Sequence, residues 1–248
     1  MVEVDASYYA LPAERNSRLW AERTPDGFVF DVKAFSLLTG HPARRAVMPD
    51  GLPPDASDPG VLDAVWGHFA AGVDPLRRAG RLGSVLFRFP PWFRPGTRAE
   101  EFLAATARRT QGRPVAVEFR HPEWWQEQRA EETRALLARY GMAAVGVDMN
   151  RTLPSSIPPV TPVTSSRLSV VRFHGRSAAW GTGSKEERFR YAYDESELRA
   201  WMPRLQALAE QVDQLHVLFN NCCGDAALRS AETMTRLLGL SATAAAEP

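Results

Sequence analysis

Short apolar runs rich in Val and Phe recur along this chain with helix-patterned segments between them, and this alternation limits the fold more than any other feature. The runs predict strands at Val2–Asp5, Phe28–Lys33, Val85–Phe89, Val115–Arg120, Ala144–Asp148, Ser169–His174 and Leu215–Asn220. The segments between them carry helix punctuation. Thr97 and Glu100 have capping-box spacing ahead of Phe102 and Leu103. Asp58 and Pro59 open a stretch whose Val61, Leu62, Val65, Trp66 and Phe69 share one face. Asp194 and Glu197 precede Leu198, Trp201, Leu205 and Leu208, and Gly141 stops a helix just after Tyr140. Strand-helix-strand order demands a mostly parallel sheet, either open and doubly wound or closed into a barrel. The open form that holds a nucleotide carries a Gly-rich turn after its first strand, and no such spacing occurs here. The expectation is a TIM-type (β/α) barrel forming one domain over residues 1–240, with an Ala-rich, frayed tail over 241–248.

Composition removes several function classes. No apolar run approaches the roughly 20 residues a membrane helix needs, and Met1 is followed by acidic, alternating sequence rather than by a basic and then apolar leader. The two cysteines, Cys222 and Cys223, are adjacent and fit a reducing compartment, so a cytoplasmic address is expected. The 30 basic and 29 acidic side chains nearly cancel, which gives no net-charge argument for a nucleic-acid surface. Within the basic set, 28 are Arg and only Lys33 and Lys185 are Lys.

Side chains alternate across a strand, and barrel enzymes work at the C-terminal strand ends. Placing Val115, Val117 and Phe119 against helices turns Glu118 and Arg120 inward. The same reasoning turns Arg172 and His174 inward, and with them Glu3, Asp5, Asp31, Lys33, Arg88, Asp148 and Asn220. Charges gathered inside at one end are costly unless they pair or bind something, so the constellation reads as a site rather than only as an ion-pair network. Two Pro-rich loops, Thr39 to Pro59 and Thr152 to Pro162, follow strands and would lie over that end. Gly175 to Arg190, with Arg176, Trp180, Lys185 and Arg188, reads as a mobile flap.

The motifs Val2-Glu-Val-Asp-Ala-Ser-Tyr-Tyr9, Phe87-Arg-Phe-Pro-Pro91, Val117-Glu-Phe-Arg-His-Pro122, Arg172-Phe-His-Gly-Arg176 and Phe219-Asn-Asn221, with Phe28–Lys33 between the first two, run in the order of the YecE-like family, domain of unknown function 72, which this chain resembles. The resemblance covers residues 2 to 238. It implies a TIM-type barrel, related to the xylose-isomerase and endonuclease-IV barrels, whose activity is not established. The family pattern has one more strand and helix, with a Gly-Thr-Ser-Gly-Trp-like segment, before the Val2–Tyr9 motif. Its usual Gln is Arg88 here, and its usual Ser is Ala6. Seven strands are therefore expected, with the first βα unit supplied by an upstream start, a partner or a rearranged segment.

The leading expectation for function is an enzyme that binds a small anionic substrate. Lys33, Glu118, His121, Asp148 and His174 are its candidate catalytic groups. Glu3, Asp5, Tyr9, Arg88, Arg120, Arg172, Arg176, Trp180, Asn220 and Asn221 are candidates for binding. Lys33 offers a compact or titratable amine that Arg cannot replace. No cofactor is expected; Glu118, Asp148, His174 and Asn220 also have the donor types for Mg²⁺, Mn²⁺ or Zn²⁺, with Arg120 and Arg172 supplying competing positive charge. His41 and His68 fall in segments poorly placed for a site, His216 reads as core, and Trp20, Trp66 and Trp201 read as core or interface aromatics. The rival expectation, from barrel kinship and the Arg-rich flap, is nucleic-acid binding or processing.

Overall fold

The computed structural model describes residues 1–240, apart from Thr182, Lys185, Glu186, Arg188 and Cys222 and without the side chains of Asp50 and Trp180. Lys185, Arg188, Cys222, the Trp180 ring and the tail after Leu240 therefore lie outside the described residues. The chain divides into two compact units, Met1–Ala144 and Val145–Pro248.

The first unit runs β1 (Val2–Val4), α1 (Ala6–Tyr9), α2 (Glu14–Arg23), β2 (Phe30–Lys33), α3 (Pro59–Arg78), β3 (Leu82–Arg88), α4 (Thr97–Arg109), β4 (Val115–Glu118) and α5 (Glu127–Arg139), and ends inside β5 (Ala143–Asp148). The second continues β5 and adds β6 (Leu168–Phe173), α6 (Glu195–Arg199), α7 (Met202–Ala209), β7 (Gln214–Phe219) and α8 (Ala226–Leu237). Neighbouring strands pair in chain order and all are parallel. That succession, with a helix between neighbouring strands everywhere except the loop from β5 to β6, is the expected α/β barrel fold.

Strands β2, β4, β5 and β6 are buried at every position, as parallel strands covered on both faces are. Alternation works as read in the first unit. Phe87 stacks on Trp66 of α3, with ring centres 5.9 Å apart, and Phe89 meets Phe102 of α4 at 5.7 Å. Asp31 and Ser84 are register partners on the other face, where the Ser84 hydroxyl donates to Asp31 at 2.5 Å. Phe119 extends the helix-side stack, lying 3.9 Å from Trp124.

Two capping expectations hold and one is corrected. Asp58 accepts hydrogen bonds from the Gly60 and Val61 amides with Pro59 in the first turn, and Asp194 and Glu197 form a reciprocal capping box. Helix α4 is instead preceded by Gly96 at φ 149°, with Thr97 already inside the helix and making no cap. A glycine is the residue that reaches that backbone angle, so it takes the boundary from the better-bonding side chain one position on. The predicted strand ends also run one or two residues long: Phe89, His174 and Asn220 still donate backbone hydrogen bonds to the neighbouring strand, but lie beyond the regular ladder. Among the described residues, no helix is long and apolar enough to cross a membrane.

Gly72 explains how closely α3 approaches the turn before α2: a Cβ there would sit 2.0 Å from the Pro12 carbonyl oxygen. Gly72→Ala is expected to destabilise the protein by about 1–3 kcal/mol through overpacking. Gly67→Ala, on the same helix with open space around it, should be neutral or stabilising by up to about 1 kcal/mol. Urea denaturation of the two variants checks the contrast.

Candidate functional site

In the first unit, the C-terminal ends of β1, β2 and β3 bring together Asp5, Tyr8, Lys33, His41, Arg88 and Trp92. Strand β1 gives way at once to the short helix α1, which carries Tyr8. The Ser7 hydroxyl bonds the Val4 and Lys33 carbonyls at 2.7 and 2.6 Å, tying this turn to the end of β2. Lys33 Nζ donates to Asp5 Oδ1 at 2.6 Å and lies 4.9 Å from the centre of the Tyr8 ring; the Arg88 guanidinium lies 6.0 Å from the same centre. The loop after β2 returns His41 to this group, edge-on to Tyr8 at 5.5 Å and to Trp92 at 5.6 Å. Trp92, in the loop after β3, is 63% exposed.

The electrostatics of the cluster are positive. Burial lowers the His41 pKa from 6.5 to about 4, assisted by the charges of Arg88 and Lys33, so the imidazole is neutral at pH 7. Burial raises the Tyr8 pKa while Arg88 opposes the shift, and the net effect keeps the phenol protonated. The Arg88 Nε is fully buried with no hydrogen-bond partner, and among the described residues Arg88 forms no ion pair. Its register partner on the next strand is Glu118, which is completely buried and accepts from Arg120 Nη1 at 3.1 Å. Glu3 is the register partner of Asp31, two rows further down. His121 is a local cap: its Nδ1 accepts from the Glu123 amide at 3.2 Å at the start of a single 3₁₀ turn.

The second unit has a different centre. Asp148 is 0% exposed and accepts from Arg176 Nε and Nη2 at 2.8 and 2.9 Å, from the Tyr193 hydroxyl at 2.8 Å and from Trp201 Nε1 at 3.2 Å. Arg176 also donates to Glu197 at 2.9 Å, and Glu197 accepts from the Tyr191 hydroxyl at 2.6 Å. Burial opposes the charge on Arg176, yet Asp148 and Glu197 together raise its pKa. Burial raises the pKa values of Tyr191 and Tyr193, reinforced by Glu197 and Asp148 respectively, so both phenols remain donors.

The expected inward direction of Asp148 is corrected here. Its register partner is Phe173, and Gly146 pairs with Val171, so Asp148 shares a face with the apolar cluster of Val171, Phe173, Leu198 and Trp201. Arg172 pairs with Val147 and lies on the other face. The run Ala143–Asp148 is apolar on both faces and so does not betray its own orientation. Arg172 is 0% exposed; His174 Nδ1 lies 3.0 Å from Asn220 Nδ2. Asn221 is buried and donates to the Tyr191 carbonyl at 2.7 Å, while its Oδ1 is buried without a partner. Trp201 proves a core residue as read, Trp20 stacks on Phe30, and His216 is buried.

Sequence reasoning favours Tyr9 over Tyr8, yet Tyr9 is 51% exposed and sets its ring edge against Tyr8. It passes over His41 and Trp92 as well. The available signal is position: both stand a few residues past a strand end, in loops whose prolines mark them as irregular. Among the described residues, no group of three or more His, Cys, Asp or Glu is arranged to hold a metal ion.

An α/β barrel protein with charged side chains gathered at the C-terminal ends of its strands is the class these observations define. The chain belongs to the family described as "Protein of unknown function DUF72", whose pattern matches residues 1–248. It is 32% identical over 246 residues to the UPF0759 protein YunF of Bacillus subtilis (strain 168), covering 97% of this chain and 83% of that one. A solved DUF72 family protein from Enterococcus faecalis V583 matches with a TM-score of 0.84 at 22% identity, covering 97% of this chain and 90% of that one. Another from Thermotoga maritima MSB8 matches with a TM-score of 0.76 at 29% identity, covering 94% and 82%. The family and the fold expected from the strand-end motifs are thus both shown.

The two polar centres differ in what a substitution should do. Asp148→Asn should cost about 1–3 kcal/mol in urea unfolding, because it removes the buried charge that Arg176 Nε and Nη2 hold and leaves the guanidinium with Glu197 alone as counter-charge. Arg151→Gln should cost less than about 1 kcal/mol, since Arg151 is 52% exposed and reaches Asp148 only at 3.4 Å. At His41 the expected effect is on pH dependence. The unfolded chain protonates His41 near 6.5 and the folded chain only near 4, so the unfolded state holds the extra proton between those values. The stability gained is complete above pH 6.5 and is lost as pH falls toward 4. Unfolding midpoints measured from pH 7 to 4 should therefore fall less steeply in His41→Gln than in the unaltered protein.

Proposed function

We propose that the protein is an enzyme that takes a small anionic substrate at the C-terminal ends of β1, β2 and β3. The observation that carries this reading is Arg88, a permanent charge whose Nε is buried without an acceptor. A buried donor left unmade costs about 1–3 kcal/mol, and more when charged. Arg113 also has an unpartnered buried Nε, but its Nη2 holds Asp74 at 2.7 Å. Arg88 has the face of the Tyr8 ring and, among the described residues, no ion pair. A carboxylate or phosphate oxygen supplies the missing acceptor, and Lys33 adds a second positive charge from the neighbouring strand.

Around that anion position, Glu118 and Asp5 are the carboxylates, held by Arg120 and Lys33 respectively. They are the proton-transfer candidates this unit offers. In the second unit the reading keeps Arg172, His174 and Asn220 as its polar strand-end groups, while Asp148 and Arg176 brace one another and the Tyr193 ring.

Titration calorimetry with inorganic phosphate and with acetate tests the reading. Millimolar or tighter binding of either is expected, and Arg88→Met should weaken it about tenfold or more, the worth of a charge-assisted hydrogen bond, without lowering the unfolding midpoint, since it removes an unmet buried donor. Mass spectrometry of the purified protein should find any retained small molecule to carry a carboxylate or phosphate. Absence of anion binding at 10 mM, with duplex DNA bound in a steeply salt-dependent way, would instead support the nucleic-acid reading.

A further inference from the structure

Thr39 determines how the His41 ring is protonated. The Thr39 hydroxyl, itself buried, has one proton and gives it to the Ser36 carbonyl at 2.9 Å, an atom that can only accept. The same oxygen lies 2.9 Å from His41 Nδ1; with its own proton on the Ser36 carbonyl, which also takes the His41 amide at 3.1 Å, it is the acceptor of that pair, the arrangement in which Nδ1 carries the hydrogen. In a neutral imidazole the other nitrogen, Nε2, is then a bare lone pair. Nε2 makes no hydrogen bond to any described residue, and it is not among the fully buried unpartnered atoms. Nε2 therefore keeps a little solvent contact, in a residue that is 8% exposed overall.

The groups facing this ring are Tyr8 from α1, Trp92 from the loop after β3, Lys33 from β2 and Arg88 from β3, with Asp5 reached through Lys33. Both cations resist a positive charge on the imidazole, so it meets a ligand as an acceptor. A carboxylate or a fully ionised phosphate monoester bound at Arg88 and Lys33 offers only acceptors itself. Its charged oxygens cannot satisfy Nε2, and a hydroxyl on the same molecule can.

We propose that His41 is a specificity-determining residue of the anion site, its Nε2 accepting from a hydroxyl, so that the ligand class is a hydroxyl-bearing small anion. This rests on the anion site proposed above and goes beyond it by fixing a second functional group on the ligand. A site with a lone acceptor rejects an analogue that lacks the matching donor, because the acceptor is then stripped of water and left unpaired. The charged end is either a carboxylate or a phosphate monoester, chemistries that Arg88 and Lys33 serve alike.

Two measurements test the inference, and neither needs a known reaction. Long-range ¹H–¹⁵N spectra of histidine-labelled protein at pH 7, with His41 assigned by its loss in His41→Gln, should show the Nδ1–H tautomer. Thr39→Val should shift His41 toward the Nε2–H form, and Thr39→Ser should leave it in place. An Nε2–H tautomer in the unaltered protein overturns the inference, whatever binds. Calorimetry then compares glycolate with acetate and 2-hydroxyethyl phosphate with methyl phosphate, which also identifies the preferred charged end. The hydroxylated member of the binding pair should bind about three- to tenfold tighter, and His41→Phe should abolish that difference while retaining the unhydroxylated anion. Equal affinity within each pair overturns the role of His41 alone and leaves the anion site standing. Failure of all four to bind overturns the anion site and this inference together.

Discussion

A parallel strand covered on both faces has no wet side on which to leave a charge, and the polar chemistry of this protein follows from that constraint. Asp31, Glu118, Asp148 and Arg172 are all 0% exposed and sit in or at the ends of strands. Where the acceptors and donors are visible, the protein has met the cost with its own groups. Ser84 serves Asp31, Arg120 serves Glu118, and Asp148 receives the guanidinium of Arg176 together with a phenol and an indole. Solvent and packing leave little choice. A carboxylate with several donors aimed at it gains more from staying in place than from moving a proton.

Most of the strands are legible in the sequence because their apolar runs, set between helix signals, are too short for a buried helix and too apolar for a loop. The helix-facing sets stand out because Glu118 separates Val117 from Phe119 and Arg172 separates Val171 from Phe173. Strand β5 shows where this stops. Ala143 to Val147 is apolar at every position, so the alternation that orients the other strands is silent, and the face expected for Asp148 is the one that Arg172 occupies. Only its register with Phe173 reveals the other direction.

The candidate site is legible to the same degree and escapes for a related reason. Residues within strands, Lys33, Arg88 and Glu118, can be picked out because the period of two points at them. Tyr8, His41 and Trp92 come from segments without a period, and their meeting depends on how loops fold back over strand ends. Such contacts are long-range in space and leave no spacing rule to read. Gly96 is a smaller case of the same kind: the capping pattern at Thr97 and Glu100 satisfies a local rule, while the backbone angle that decides the boundary belongs to the residue before it.

What separates the two polar centres is the balance of donors and acceptors. Around Asp148 every donor named has an acceptor, and the carboxylate is saturated. Around Tyr8 the Asp5 carboxylate is occupied by Lys33 at 2.6 Å. The positive charge of Arg88 has, among the described residues, no counter-ion of that kind. Lys33 also explains why a lysine stands there in a chain with 28 arginines. A compact ammonium fits between the Asp5 carboxylate and the face of Tyr8, whereas the wider planar fork of an arginine would have to displace one of them. Size at position 33 and the unmet donor at position 88 therefore leave a positive charge without a counter-ion among the described residues. The neutral ring of His41 stands beside it, its pKa held down by burial and by these two cations.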